Sequence, residues 1–195
     1  KVTSEEFAVF KYLKKNINNN SNILHIGVGC SHGVQTLKNK FNSFTGLTIA
    51  GLEKVKADNL GVINNSTYII DKYNHEQLIE IIKPNSFDYI IDINLKSFSP
   101  DNKMYENMMK NFYSFLKLGG CIITSKSGMN WTTELNLVSN DFIQVGSNNN
   151  NILSKKDLEA FAQNFNLKLE EITQSFGFFK KKSETLYKLT KNHEI

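Results

Sequence analysis

Between Ile23 and Ser125 the chain alternates short apolar runs with longer amphipathic stretches, and several runs end in a glycine or an acid. The runs are Ile23 to Val28, Leu47 to Leu52 (followed by Glu53), Thr67 to Ile70 (followed by Asp71), Phe87 to Asp92, and Cys121 to Ser125. Each is too short for a buried helix, and their continuous apolar character is that of strands covered on both faces. Between them Val34 to Phe41, Lys54 to Leu60, His75 to Ile82 and Met104 to Leu116 have helical character. Pro84 closes the third of these, and Gly119 and Gly120 read as the cap of the fourth. Strands and helices alternating through short connections predict an α/β fold built on a parallel sheet.

The flanking segments extend that frame. Ser4, followed by Glu5 and Glu6, starts a helix with acids at the positive end of its dipole. Phe7, Phe10, Leu13 and Ile17 then recur at nearly helical spacing, so residues 1–20 form an N-terminal helix ended by the polar "NNNSN". Residues 128–152 carry Trp131 and the polar "SNNNN" without clean periodicity, and read as an insertion over the carboxyl edge of the sheet. Ser154 and Asp157 form a capping-box-like start, and Leu158, Phe161, Ala162 and Phe165 make the apolar stripe of one more core helix. "KLEEITQSFGFF" and "ETLYKLTK" are two β-leaning runs around a polar turn, the pattern of an antiparallel hairpin. The expected architecture is therefore a three-layer sandwich with a mostly parallel seven-stranded sheet ending in an antiparallel hairpin, all in a single domain spanning 1–195.

Composition narrows the class without naming a function. Hydrophobic residues make up 40% and charged residues 22%, as in ordinary globular domains. No stretch approaches the roughly 20 apolar residues of a membrane span, and no signal-peptide pattern stands at the start. A cytoplasmic protein is expected, and since the chain starts at Lys1 rather than methionine, residues upstream of it are expected too. Cys30 and Cys121 lack metal-ligand spacing and read as reduced, partly buried thiols. The net charge of +4 permits an anionic substrate and does not demand nucleic acid.

In open parallel sheets, ligands bind beyond the carboxyl ends of the strands, near the point where strand order reverses. The residues at those ends are the glycine loop of "NILHIGVGCSHG", then Glu53, Asp71, the stretch after Asp92, and Lys126 to Trp131. Gly27, Gly29 and Gly33 do not match the dinucleotide fingerprint, because His32 holds the place of its third glycine. Glu53 follows the loop at roughly the distance where an acid accepts hydrogen bonds from a ribose diol.

Taken in order, these residues resemble the class I S-adenosylmethionine-dependent methyltransferases. The resemblance runs from Ile23 to about Lys191. It rests on "HIGVGCSHG", on "GLEK" at Gly51 to Lys54, on "YIIDKYN" around Asp71, on "SFDYIIDI" around Asp92, and on "FLKLGGCIITS" from Phe115. The last is similar to the family's leucine-lysine-proline-glycine-glycine turn, with Leu118 replacing the proline. The cofactor-binding set that it implies is Gly27, Val28, Gly29, Glu53, Lys54, Asp71, Lys72, Asp92, Ile93 and Asn94. Gly27 and Gly29 would approach the methionine end, Glu53 the ribose hydroxyls, Asp71 with Lys72 and Tyr73 the adenine, and Asp92 to Leu95 the sulfonium and methyl. The family often carries an acid two places before its first glycine, where this chain has His25.

The implied activity is methyl transfer to a small-molecule acceptor, on an oxygen of a polar or anionic metabolite or sugar. Asp92 is the candidate base, with a role as a cofactor-contacting carboxylate equally open. Lys96, Lys126 and Trp131 are acceptor-site candidates, and His32 and His75 are alternative bases on helices. The stretch "DINL" has no Asn/Asp-Pro-Pro-aromatic turn and no Pro-Cys pair, which argues against a nucleic-acid acceptor. The fifth strand ends in "SKSGMN" and supplies no second carboxylate for a metal. A non-catalytic methyltransferase-like binding module and a nicotinamide-dependent oxidoreductase are the competing classes.

Overall fold

The computed structural model describes residues 2–130, 152–176 and 182–192, together with the backbone of 133–138 and 142–147. Strands β1 (Asn22–Ile26), β2 (Ser43–Thr48), β3 (Asn65–Ile69), β4 (Phe87–Ile91) and β5 (Leu116–Ser125) pair in parallel, in the order β3-β2-β1-β4-β5. Two strands near the C-terminus, β8 (Leu167–Phe176) and β9 (Lys182–Lys191), complete a seven-stranded sheet as an antiparallel hairpin, with β9 against β5. Among the described residues this is the expected mostly parallel sheet with its antiparallel end.

Strand alternation sends successive side chains to opposite layers. Leu24, Ile90 and Ile122 pack on one face against Leu78 of α4 (His75–Ile81), Phe112 of α5 (Asn102–Phe115) and Leu158 of α6 (Lys155–Asn164). Ile23, Ile91 and Ile123 pack on the other against Phe10 and Leu13 of α1 (Ser4–Asn16) and Val34 and Leu37 of α2 (His32–Leu37). Leu60 and Val62, just after α3 (Gly51–Asp58), join this second cluster. Enclosing a phenylalanine such as Phe10 or Phe112 contributes about 1.5–3 kcal/mol each.

Several boundaries differ from those read in the sequence. The cap of α1 is Thr3 rather than Ser4: its hydroxyl accepts from the Glu6 amide at 3.1 Å while Glu6 accepts from the Thr3 amide at 3.1 Å. Phe7, read as a core position, is exposed, and Ala8 and Val9 are buried instead. Helix α2 starts at His32 and ends at Leu37, short of Phe41. Strand β2 stops at Thr48, so Glu53 lies in the first turn of α3 and not at a strand end. Gly119 and Gly120 do not cap α5; the chain passes straight into β5 at Leu116, and the glycines lie where the β4–β5 register shifts. The Ser154–Asp157 capping box forms as expected. The segment after β5 is more regular than its sequence suggests, with a short 3-10 turn at Gly128–Asn130 and a separate antiparallel hairpin, β6 (Thr133–Val138) with β7 (Phe142–Ser147).

Candidate functional site

The strand order reverses between β1 and β4, and a cavity of about 800 Å³ opens there beyond the carboxyl ends. The Gly27–Gly29 loop supplies its centre. Both glycines have positive φ, +70° and +52°, a conformation that costs other residues strain, and no protein atom lies within 4 Å of a Cβ placed on Gly27. The backbone is thus exposed to whatever fills the cavity. Val28 between them turns away and is buried, where a Cβ on Gly46 would stand only 2.6 Å from its Cγ1.

On the β2 side, Glu53 folds back from α3 toward the strand end. The Thr48 hydroxyl donates to Glu53 Oε2 at 2.5 Å and accepts from the Ala50 amide at 3.1 Å, which fixes the carboxylate in the cavity wall. Asp71, after β3, accepts from the Tyr73 amide at 3.0 Å in a tight turn and also reaches the wall.

The floor near β4 is held by an ion pair that sequence spacing does not reveal. Lys72 Nζ donates to Asp92 Oδ2 at 2.8 Å, to the carbonyls of Asn94 and Leu95 at 3.1 Å each, and to Ser97 Oγ at 3.2 Å. The Lys72 and Asp92 side chains are only 7% and 3% exposed, so neither charge is left to water. The Tyr73 hydroxyl donates to the Ser97 carbonyl at 2.7 Å. Burial, reinforced by the Asp92 charge, holds this phenol well above its ordinary pKa, so it remains a donor. Gly128, after β5, closes the floor from the other side: a Cβ there would stand 2.0 Å from the Ile93 carbonyl oxygen.

Eight of the ten residues expected around a cofactor line this cavity: Gly27, Gly29, Glu53, Asp71, Lys72, Asp92, Ile93 and Asn94. Val28 is in the core, and Lys54 points along α3 to pair with Asp58. Among the acceptor-site candidates, Lys96 donates to Asn102 Oδ1 at 2.7 Å and lies over the Tyr105 ring, outside the wall. Lys126 is exposed, and Trp131 lies outside the described residues. His32 sits beside the Thr36 hydroxyl and His75 Nδ1 lies 2.9 Å from Asn111 Oδ1, both away from the cavity. His25 is also elsewhere: it is buried edge-on between Phe10 and Phe44, and burial pushes its pKa down to about 3. Among the described residues, no group of three His, Cys, Asp or Glu is placed to hold a metal, and no helix is long and apolar enough to cross a membrane.

The contribution of α1 and its cap is not visible in the sequence. Thr3, Glu5 and Glu6 reach the cavity, and their distance along the chain from every other lining residue hides this.

No family model matches the sequence, and no curated protein matches it. Solved structures do. The N-methyltransferase NodS from Bradyrhizobium japonicum WM9, in complex with S-adenosyl-L-homocysteine, superposes with a TM-score of 0.67 at 12% identity over 98% of this chain and 89% of its own. The DhpI–SAM–HEP complex gives 0.64 at 10% identity over 95% and 85%. An rRNA methylase from Streptococcus thermophilus gives 0.57 at 10% identity over 99% of both chains. The chain has the class I methyltransferase fold. At such identities the likeness speaks for architecture, and the chemistry rests on the cavity.

Proposed function

We propose that the chain is an S-adenosylmethionine-dependent methyltransferase acting on a small polar or anionic acceptor, at an oxygen atom. The observation that carries this reading is the cavity at the strand-order reversal, where a bare glycine backbone, the Thr48-held Glu53 and the Asp92 floor meet in one space. These residues fit the cofactor. Glu53 presents a fixed carboxylate suited to a ribose diol; Ile49, Ala50 and Ile70 beside it offer apolar surface for a nucleobase; and the glycines admit an amino-acid tail against the backbone. Two of the neighbours above carry S-adenosyl-L-homocysteine or SAM in their own complexes, which supports the choice.

When bound, the cofactor supplies an electrophilic methyl group on its sulfonium. The chain's part is positioning, since in-line displacement depends on near-attack geometry. Lys72 holds the Asp92–Ser97 turn through its four acceptors and balances the Asp92 charge, so the floor keeps one shape. Asp92 accepts a hydrogen bond from the acceptor's hydroxyl and orients it. The absence of an Asn/Asp-Pro-Pro-aromatic turn at Asp92 to Leu95 favours a small molecule over a nucleobase amine.

Turnover tests this directly. The protein is incubated with S-adenosylmethionine and a panel of hydroxylated, phosphorylated, amine and RNA acceptors, and S-adenosyl-L-homocysteine is measured. Product with a hydroxylated small molecule is expected. Turnover confined to RNA or to amines overturns the acceptor class, and binding of NADH in preference to S-adenosyl-L-homocysteine overturns the cofactor.

A further inference from the structure

We propose that Glu6, on α1, is the residue that binds the cofactor's ammonium group, so that the N-terminal helix selects the amino-acid end of the ligand. This rests on the reading of the cavity given above.

The chemistry of the walls orients the ligand. The apolar surface of Ile49, Ala50 and Ile70 adjoins Glu53, which places a nucleobase and its ribose toward β2 and β3. The remaining tail, an ammonium and a carboxylate, then extends over the glycine loop at the end of β1. A buried or half-buried ammonium needs an anionic partner there. His25, the polar residue of β1 two places before Gly27, supplies none: its ring is enclosed between Phe10 and Phe44, and burial keeps it neutral.

Glu6 does reach that place. Its Oε1 lies 3.7 Å from where a Cβ on Gly29 would stand, directly over the loop. Its Oε2 accepts from the Thr3 amide, so the capping box fixes the carboxylate while leaving Oε1 toward the loop. Of the other acids in the wall, Glu53 is engaged with Thr48, Asp71 with the Tyr73 amide and Asp92 with Lys72, while Glu5 Oε2 accepts from the Ser4 hydroxyl at 3.4 Å, so Glu5 is the rival that the titration below includes. Glu6 is half-buried, which strengthens a charge-assisted contact relative to open solvent.

Calorimetric titration of the wild-type chain, Glu6→Gln and Glu5→Gln separates the possibilities, using S-adenosyl-L-homocysteine and its deamino analogue, in which hydrogen replaces the ammonium. Glutamine at this position preserves the capping box, and a thermal melt checks that the fold is unchanged. Glu6→Gln is expected to weaken S-adenosyl-L-homocysteine by about tenfold or more, the size of a charge-assisted hydrogen bond, and the deamino analogue by less than about twofold. Equal loss for both ligands, no loss for either, or discrimination carried by Glu5→Gln instead overturns the assignment to Glu6. If the wild-type chain binds neither ligand, the cofactor reading itself falls.

Discussion

The segment from His25 to Gly33 has two sides with opposite physics. On one, Gly27 and Gly29 hold positive φ and face an open cavity, with nothing within 4 Å of a Cβ on Gly27. On the other, Gly33 lies under the Phe10 ring, so close that a Cβ would stand 2.3 Å from its Cζ, and the same ring covers His25. Three glycines that look equivalent in sequence therefore do different work: two leave the backbone open to the cavity, and the third lets α1 seal the sheet. The sealing also serves the open side, because the helix docked by Phe10 carries Thr3, Glu5 and Glu6 to the cavity.

The largest effect that sharpens this contrast belongs to the cavity floor. Lys72→Ala leaves Asp92 buried without its counter-ion, and a loss of about 3–5 kcal/mol in denaturant unfolding is expected. A loss below about 1 kcal/mol would place this pair among ordinary surface pairs and remove the distinction. On the sealed side, Gly33→Ala drives a methyl group into the Phe10 ring. It should cost about 1–3 kcal/mol by the same measurement, through overpacking. A neutral result would mean that α1 shifts freely on the sheet.

His25 gives the sealed side a pH signature. The unfolded chain protonates this histidine near 6.5, whereas the folded chain resists protonation down to about 3. Between those values the unfolded state binds more protons, so its contribution to stability is fully present above 6.5 and is lost as pH falls toward 3. Denaturant midpoints measured across that window should drop more steeply for the wild type than for His25→Phe. Parallel profiles would contradict a neutral, enclosed ring. The smallest effect is expected at Lys54, whose partner Asp58 is a half-exposed surface carboxylate one helical turn away: Lys54→Ala should change stability by less than about 0.5 kcal/mol.

Much of this was legible in the sequence, for local reasons. The inner strands β1 and β4 and the Cys121–Ser125 part of β5 announce themselves because burial on both faces demands continuous apolar runs, whereas the edge strand β3 is largely exposed, and the Ser154–Asp157 box is a short local signal. The carboxyl-end residues Gly27, Asp71 and Asp92 follow from the alternation itself. What was hidden depends on contacts distant in sequence. Lys72 and Asp92 are twenty residues apart, and nothing local marks them as partners. Glu6 and Gly29 meet only because Phe10 docks against Gly33. The mostly apolar run Leu47 to Leu52 suggests a strand reaching Glu53, but the Thr48 hydroxyl within it, bonding to both the Ala50 amide and Glu53, closes the turn earlier. The β6–β7 hairpin does carry a period-two signal, Leu135 and Leu137 alternating with Glu134 and Asn136, and Ile143 and Val145 flanking Gln144, but the asparagine-rich sequence around these short runs masks it.

The cavity at the end of β1 and β2 is the proposed cofactor site, with Glu53 as one of its fixed contacts. Calorimetric titration of the wild-type chain and Glu53→Ala with S-adenosyl-L-homocysteine tests it most directly. One ligand per wild-type chain is expected, with affinity reduced by about tenfold or more in the folded variant. Equal affinity in both proteins, or no binding to the wild type, would contradict it.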